Sequence, residues 1–478
     1  KIEGPLPGSV ELMLANQIYI SKEGLPPVLK NKLIRLAAFQ NPEFYKAQAM
    51  RFPTYDKPRI VHCCEDFPKH IGLPIGCLGD IFELLHSLGI KTEVIDERFA
   101  EVPINARFIG ELRPEQQVAA DALLRHDTGV LAASTAFGKT VVAAYLIAKR
   151  SVNTLIMVHL KELLYQWIAR LNTFLDVSVD DIGQFGGGKR KPTGIIDVAT
   201  IQSLGRKGVV DDIVAKYGYL IVDECHHISA RSFEIVARQC KAKYVTGLSA
   251  TVTRKDGHHP IIFMNCGHVR YKVDDKKQAA ARPFAHEVIV RETSFRMPAS
   301  FEADQYTAIH EIYKSLLQSD ERNKVIVADV MLAIKNNRFP VILTERVEHL
   351  ETLKNLLEDK ITNLIVMKGG MGKKQRQAAL NALEFLPDDA EKAVLATGRY
   401  LGEGFDDERL DTLFLTLPIS WRGTLNQYAG RLHRIYDSKK KVVIYDYADL
   451  NVPVLARMYD RRLKGYRSLG YEIKDDNS

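Results

Sequence analysis

Ala132-Ala133-Ser134-Thr135-Ala136-Phe137-Gly138-Lys139-Thr140-Val141-Val142 is the stretch on which the fold turns. Gly138-Lys139-Thr140 matches the end of G-x-x-x-x-G-K-[S/T], a loop whose backbone amides cradle phosphates at the start of a helix. Ala133 stands where that pattern has its first glycine, and Phe137 where a small residue is usual. Two readings stay open on this stretch alone: a phosphate loop, or a small-residue turn between a strand and a helix. Both place a short apolar strand, Val130 to Ala133, before it and a helix to about residue 150 after it.

The flanking sequence repeats that strand–helix rhythm. Residues 154–158, 195–199, 219–222 and 244–248 are apolar runs separated by helical patterns, as in a parallel sheet buried on both faces. A second set follows at 340–344, 363–367, 393–396, 412–416 and 441–446. Upstream, residues 59–63 and 91–96 read as strands, and 28–50 and 78–89 as helices. The expected fold is therefore α/β, with two tandem parallel-sheet domains after a small N-terminal α/β domain. The boundaries are 1–105, 106–280, 281–455, and a basic helical tail over 456–478.

The composition sets limits on function. The chain has 478 residues, and 66 basic against 59 acidic side chains give a net charge of +7. Such a balance permits a polyanionic partner without requiring one. Six cysteines lack the spacing of a disulfide framework, so a reducing, cytoplasmic setting is expected. His62, Cys63, Cys64, His70 and Cys77 suggest zinc only weakly, because adjacent Cys63 and Cys64 lack C-x-x-C spacing. Buried thiols on a strand are the plainer reading. No apolar run is long enough to span a membrane and nothing resembles a signal peptide. Residue 1 is Lys, which leaves room for a missing upstream domain.

A phosphate loop that hydrolyses a nucleotide needs an acidic group at the end of a neighbouring strand to hold Mg²⁺. Val222-Asp223-Glu224-Cys225-His226-His227 supplies it directly after an apolar run. Asp223 and Thr140 are the expected Mg²⁺ ligands, and Glu224 the group that orients or deprotonates water. Lys139 would neutralise phosphate charge, with Ala136, Phe137 and Gly138 forming the cradle around it.

Asp223-Glu224-Cys225-His226, Leu248-Ser249-Ala250-Thr251 and Gln427-Tyr428-Ala429-Gly430-Arg431-Leu432-His433-Arg434 together resemble superfamily 2 helicases and translocases. The run from Gly247 through Arg254-Lys255-Asp256-Gly257 resembles the XPB-like and restriction-motor branch more than the RNA-directed DEAD-box branch. The resemblance covers about residues 112–450. It implies two RecA-like domains with ATP in the cleft between them, and it assigns roles to particular residues. Gln116, in Leu112-Arg113-Pro114-Glu115-Gln116, would contact the adenine. His159, Gln202 and Ser203 would face nucleic acid in the first half, and Thr344, Arg346, Thr397 and Gly398 in the second. Gly404 and Asp406 would meet the nucleotide, and Ser249 and Thr251 would couple hydrolysis to domain movement. Gln427, Arg431 and Arg434 would complete catalysis, the two arginines reaching the γ-phosphate across the cleft.

The expected function is thus an ATP- and Mg²⁺-dependent motor on single-stranded, duplex or branched DNA, in repair, recombination or phage defence. Any nuclease would be another domain or subunit. An RNA-directed helicase is one alternative. A nucleic-acid clamp with weak or lost ATPase is the other, kept open by Ala136-Phe137. Gly186-Gly187-Gly188-Lys189-Arg190-Lys191 reads as a hairpin turn, either solvated or on a nucleic-acid backbone, and Lys368 to Lys374 allows the same two readings. Residues 1–105 would grip DNA or dock a partner.

Overall fold

A computed structural model describes residues 6–99, 102–206, 209–226, 230–251, 256–298, 309–398, 407–419 and 422–475. The chain divides into two compact units, Lys1–Ala133 with Phe137–Lys272, and Val273–Ser478 with Ser134–Ala136.

In the first unit, an eight-stranded sheet runs in the order Lys189–Lys191, Ile182–Gly186, Ile196–Thr200, Thr154–Val158, Tyr219–Val222, Tyr244–Ser249, Thr128–Ala132 and Val269–Lys272. All neighbours are parallel except the terminal hairpin. Every residue of Thr154–Val158, Ile196–Thr200 and Tyr219–Val222 is buried, as strands covered on both faces require. The loop at 133–138, the acidic stretch from Asp223 and the Ser249-Ala250-Thr251 turn leave three adjacent parallel strands at their carboxyl ends, where open α/β sheets place ligands.

The N-terminal residues form a five-stranded sheet from Glu65–Asp66, His70–Leu73, Ile18–Ser21, Ser9–Leu14 and Lys91–Asp96. Val10, Leu12 and Leu14 alternate inward and meet Leu29, Leu33, Ile81 and Leu85 from two helices. Ile261 and Met264 of the helix Pro260–Cys266 join the same core. A Cβ on Gly76 would lie 2.4 Å from the Phe263 carbonyl oxygen, so glycine permits this close approach.

The helix expected over 28–50 is two helices, Pro27–Leu36 and Pro42–Ala49, split by a strand Ala38–Gln40 that pairs with Ile60–His62. Asn41 causes the break. Its side chain accepts from the Glu43 amide at 3.0 Å, starting a new helix, and donates to the Pro58 carbonyl at 2.8 Å. Cys63 and Cys77 lie buried in this core, and burial pushes the Cys63 thiol up to about 12. Among the described residues no group of three or more His, Cys, Asp or Glu side chains is placed to hold a metal ion.

The second unit carries a seven-stranded parallel sheet in the order Leu364–Met367, Ala393–Thr397, Pro340–Thr344, Thr412–Leu415, Lys441–Ala448, Ala285–Glu292 and Glu472–Asp475. The C-terminal tail is built into it. The helix Pro453–Ser468 buries Arg462, which donates to Asp446 at 2.7 and 2.8 Å, and Glu472–Asp475 forms the edge strand. Among the described residues no helix is long and apolar enough to cross a membrane.

Candidate active site

Gly138 opens the helix Lys139–Arg150 with φ of +87°, and a Cβ there would lie 2.6 Å from Gln116 Nε2. Glycine is therefore required at this position on two counts, backbone and space. The Phe137 ring is fully buried, 6.5 Å from the Tyr271 ring and 6.0 Å from the Arg113 guanidinium carbon. Its carbonyl accepts from Gln116 Nε2 at 2.7 Å and from the Arg113 guanidinium. The large residue thus anchors the loop from beneath. Gln116 is spent on the loop and on the Arg113 amide, which it accepts at 2.9 Å.

Lys139 is buried. Its ammonium donates to the Ala133 carbonyl at 3.1 Å and pairs with Glu224 Oε1 at 3.0 Å. Glu224 has φ of +44°, a left-handed backbone that costs a non-glycine residue about 1 kcal/mol or more. Its other oxygen lies 3.3 Å from His226 Nδ1 and 3.4 Å from the Ala250 amide. His226 Nδ1 in turn lies 2.9 Å from Ser249 Oγ, which accepts the Thr251 amide at 3.1 Å. One hydrogen-bonded chain therefore links the phosphate loop, the acidic stretch and the Ser-Ala-Thr turn. A change at Lys139 has a physical route to Thr251.

Asp223 is buried. Burial first, and then repulsion from Glu224, pushes its carboxyl up to about 6 against the pull of Lys139. Oδ2 accepts from Trp167 Nε1 at 2.6 Å, and Oδ1 from the Glu224 amide at 2.9 Å. Trp167 contacts Asp223, a contact that the sequence did not reveal. It stands in the helix Lys161–Phe174, 56 residues away, and its indole N–H has one geometric use here.

The expected nucleic-acid residues of the first unit fall together. Gln202 donates to the His159 carbonyl at 3.0 Å, and the Ser203 and Thr200 hydroxyls lie 2.7 Å apart. The hairpin turn Gly187-Gly188, with φ of +63° and +91°, brings Lys189–Lys191 to the same region. A Cβ on Gly187 would lie 3.1 Å from the Tyr165 hydroxyl and 3.2 Å from Lys161 Cε. Buried Asp197 pins the hairpin base by accepting the Thr193 and Gly194 amides at 2.8 Å each.

In the second unit, Thr344 is buried and its hydroxyl lies 3.1 Å from His349 Nδ1 while accepting the Arg346 amide at 3.3 Å. Thr344 is thus an orienting group, and Arg346 is the exposed one. Thr397 is buried at its strand end. A Cβ on Gly398 would lie 2.3 Å from both Glu345 Oε1 and the Tyr428 hydroxyl, which bond each other at 2.8 Å. Gln427 and Arg431 lie on the helix Arg422–Leu432, Arg431 buried, with Arg434 just beyond it. Lys439 holds this end of the chain by donating to the Glu408, Leu432 and Arg434 carbonyls at 2.8, 3.0 and 2.9 Å. Gly404 and Asp406 lie outside the described residues, as do His227 and Arg254-Lys255.

A family model described as the type III restriction enzyme res subunit matches residues 109–254. L396 of Acanthamoeba polyphaga mimivirus, provisionally named an ATP-dependent RNA helicase, is 24% identical over 389 residues, 78% of this chain and 71% of that one. The DNA 3'-5' translocase XPB2 of Sulfurisphaera tokodaii is 33% identical over 162 residues, 34% of this chain and 36% of that one. The ATP-dependent Type ISP restriction-modification enzyme LlaBIII, solved bound to DNA, has a similar fold with a TM-score of 0.52. That match covers 77% of this chain and 31% of LlaBIII at 14% identity.

Proposed function

We propose that the chain is an ATP-hydrolysing superfamily 2 helicase of the XPB and ResIII type, a reading the matches to the res-subunit family model and to XPB proteins support, and that it couples hydrolysis to movement along, or remodelling of, duplex or branched DNA. The observation that carries this reading is the chain of contacts from Lys139 through Glu224, His226 and Ser249 to Thr251. It offers a way for the state of a bound γ-phosphate to be felt at the Ser-Ala-Thr turn. In this reading Gly138 and Lys139 hold phosphates, Glu224 orients water, and Arg431 and Arg434 stabilise charge as it develops. His159, Gln202, Ser203, Arg346 and Gly398 line the nucleic-acid track.

Residues 1–105 act as the accessory module, 106–280 and 281–455 as the two motor domains, and 456–478 as a structural closure of the second. Six free thiols suit a reducing cytoplasm. Cleavage, where the pathway needs it, belongs to another domain or subunit. The burial of Phe137 and the fit of Gly138 support an intact loop over the clamp reading.

The donor set suits Mg²⁺: two hard oxygens, the Asp223 carboxylate and the Thr140 hydroxyl, with Asp223 already held by Trp167. When bound, the ion neutralises phosphate charge. Burial and the neighbouring Glu224 carboxylate push the folded Asp223 carboxyl up to about 6, from about 3.9 for an exposed aspartate. The folded state therefore binds the proton more readily between those values, and this group's cost to stability builds up as pH rises from about 4 to about 6 and is constant above that. A bound cation relieves that penalty above pH 6, and protons compete with it below. Mg²⁺ with a non-hydrolysable ATP analogue should raise the melting temperature more at pH 7.5 than at pH 5. An equal rise at both would remove Asp223 as a ligand. Trp167→Phe should raise the half-saturating Mg²⁺ concentration roughly 10- to 100-fold at an unchanged rate in saturating Mg²⁺.

Steady-state ATP hydrolysis, measured alone and then with single-stranded, duplex and forked DNA and single-stranded RNA, tests the substrate. Strong stimulation by one DNA form supports the proposal. Stimulation by RNA alone, the activity for which L396 is named, replaces DNA as the track. Hydrolysis that no nucleic acid stimulates leaves the clamp.

A further inference from the structure

We propose that the loop of residues 50–59 is a base-stacking contact for unpaired nucleic acid, built on the N-terminal module and fixed against the motor domain. The inference rests on the reading that this chain acts on nucleic acid, and names a second place where it does so.

Three observations carry it. First, the loop displays what most loops hide. Tyr55 is 94% exposed, Phe52 62% and Met50 54%, side by side on one short segment. Cations are interleaved with them: residues 42–60 hold Lys46, Arg51, Lys57 and Arg59 against Glu43 and Asp56. Asp56 is matched by Lys57 at 2.8 Å, so the local field is positive. Exposed aromatics among cations suit single-stranded nucleic acid, whose bases offer flat faces and whose phosphates offer charge.

Second, the display is held in place. The Asn41 amide donates to the Arg59 carbonyl at 2.9 Å, and the Asn41 side chain donates to the Pro58 carbonyl at 2.8 Å. The Phe52 amide donates to the Ala47 carbonyl at 2.8 Å. Pro53 and Pro58 restrict the backbone further. A segment pinned at both ends spends little ordering entropy on binding.

Third, its base abuts the motor. Gly257, with φ of +79°, packs so closely on Pro42 that a Cβ there would lie 2.6 Å from Pro42 Cγ. The Phe39 ring meets His258 edge-on, centroids 5.9 Å apart. Gly257 and His258 follow the Ser-Ala-Thr turn by six and seven residues. The module that carries the loop thus meets the motor at residues that follow the Ser-Ala-Thr turn in sequence.

Affinities of the full chain for single-stranded, forked and blunt duplex DNA and for single-stranded RNA, by fluorescence anisotropy, test the proposal. Wild type should bind substrates with unpaired segments more tightly than blunt duplex. Phe52→Ala/Tyr55→Ala should weaken those substrates roughly 5- to 100-fold, leaving blunt duplex and basal ATP hydrolysis unchanged. Tyr55→Trp in a Phe52-intact chain should retain binding. Arg51→Gln/Arg59→Gln should flatten the salt dependence of binding. A double-alanine variant that binds every substrate as wild type does overturns the loop assignment and leaves the motor reading standing. So does one that instead loses self-association in sedimentation, which would make the patch a protein contact. A wild-type chain that binds no nucleic acid overturns both.

Discussion

Glu224→Gln should lower the ATP hydrolysis rate roughly 10²- to 10⁴-fold while ATP binding is kept or strengthened. Gln has the same shape, so its amide can still fill the positions 3.0 Å from Lys139 and 3.3 Å from His226, but with a dipole in place of a charge. What disappears is the charge. Without it Glu224 can neither take a proton from water nor hold Lys139 by ion pairing, and the ammonium is freed for phosphate. Single-turnover hydrolysis beside equilibrium binding of a fluorescent ATP analogue separates the two effects. A fall of less than tenfold, with binding intact, would mean that water is activated elsewhere.

The second large effect is on folding. Arg462→Ala should destabilise the second unit by about 3–5 kcal/mol, because it leaves a buried carboxylate without its cation. Arg462 Nε and one terminal nitrogen donate to Asp446 at 2.7 and 2.8 Å, and the other donates to the Ile419 carbonyl at 3.2 Å. The Tyr466 hydroxyl donates to the same carboxylate at 2.7 Å. Arg462→Met with Asp446→Asn should recover part of the loss, since no buried charge then stands alone. Guanidinium unfolding of the three proteins measures this. A loss under about 1 kcal/mol would place Arg462 in solvent, as expected of an exposed ion pair.

What the sequence made legible follows from how each feature is encoded. Doubly covered strands are written as continuous apolar runs, so Thr154–Val158 and Tyr219–Val222 could be placed from composition alone. Ala285–Glu292 escaped because His286, Val288 and Val290 alternate with more exposed neighbours, although the strand lies between two others. The break at Ala38–Gln40 depends on Asn41 reaching a carbonyl 17 residues on, which no local pattern states. At the site, types and order pointed to Lys139, Asp223 and Glu224. They could not show that Trp167 holds Asp223, that Gln116 holds the loop, or that Thr344 is buried beneath Arg346. Those are facts of three-dimensional reach.

The left-handed backbone at Glu224 has a consequence for anyone evolving this protein in the laboratory. Gly and Asn occupy that conformation more comfortably than Glu, and neither brings a carboxylate into the buried pair with Asp223 and Lys139. A library screened for heat resistance alone should therefore drift at position 224 toward variants that survive heating and hydrolyse nothing. Selection has to demand turnover and endurance together, because at this residue they pull in opposite directions.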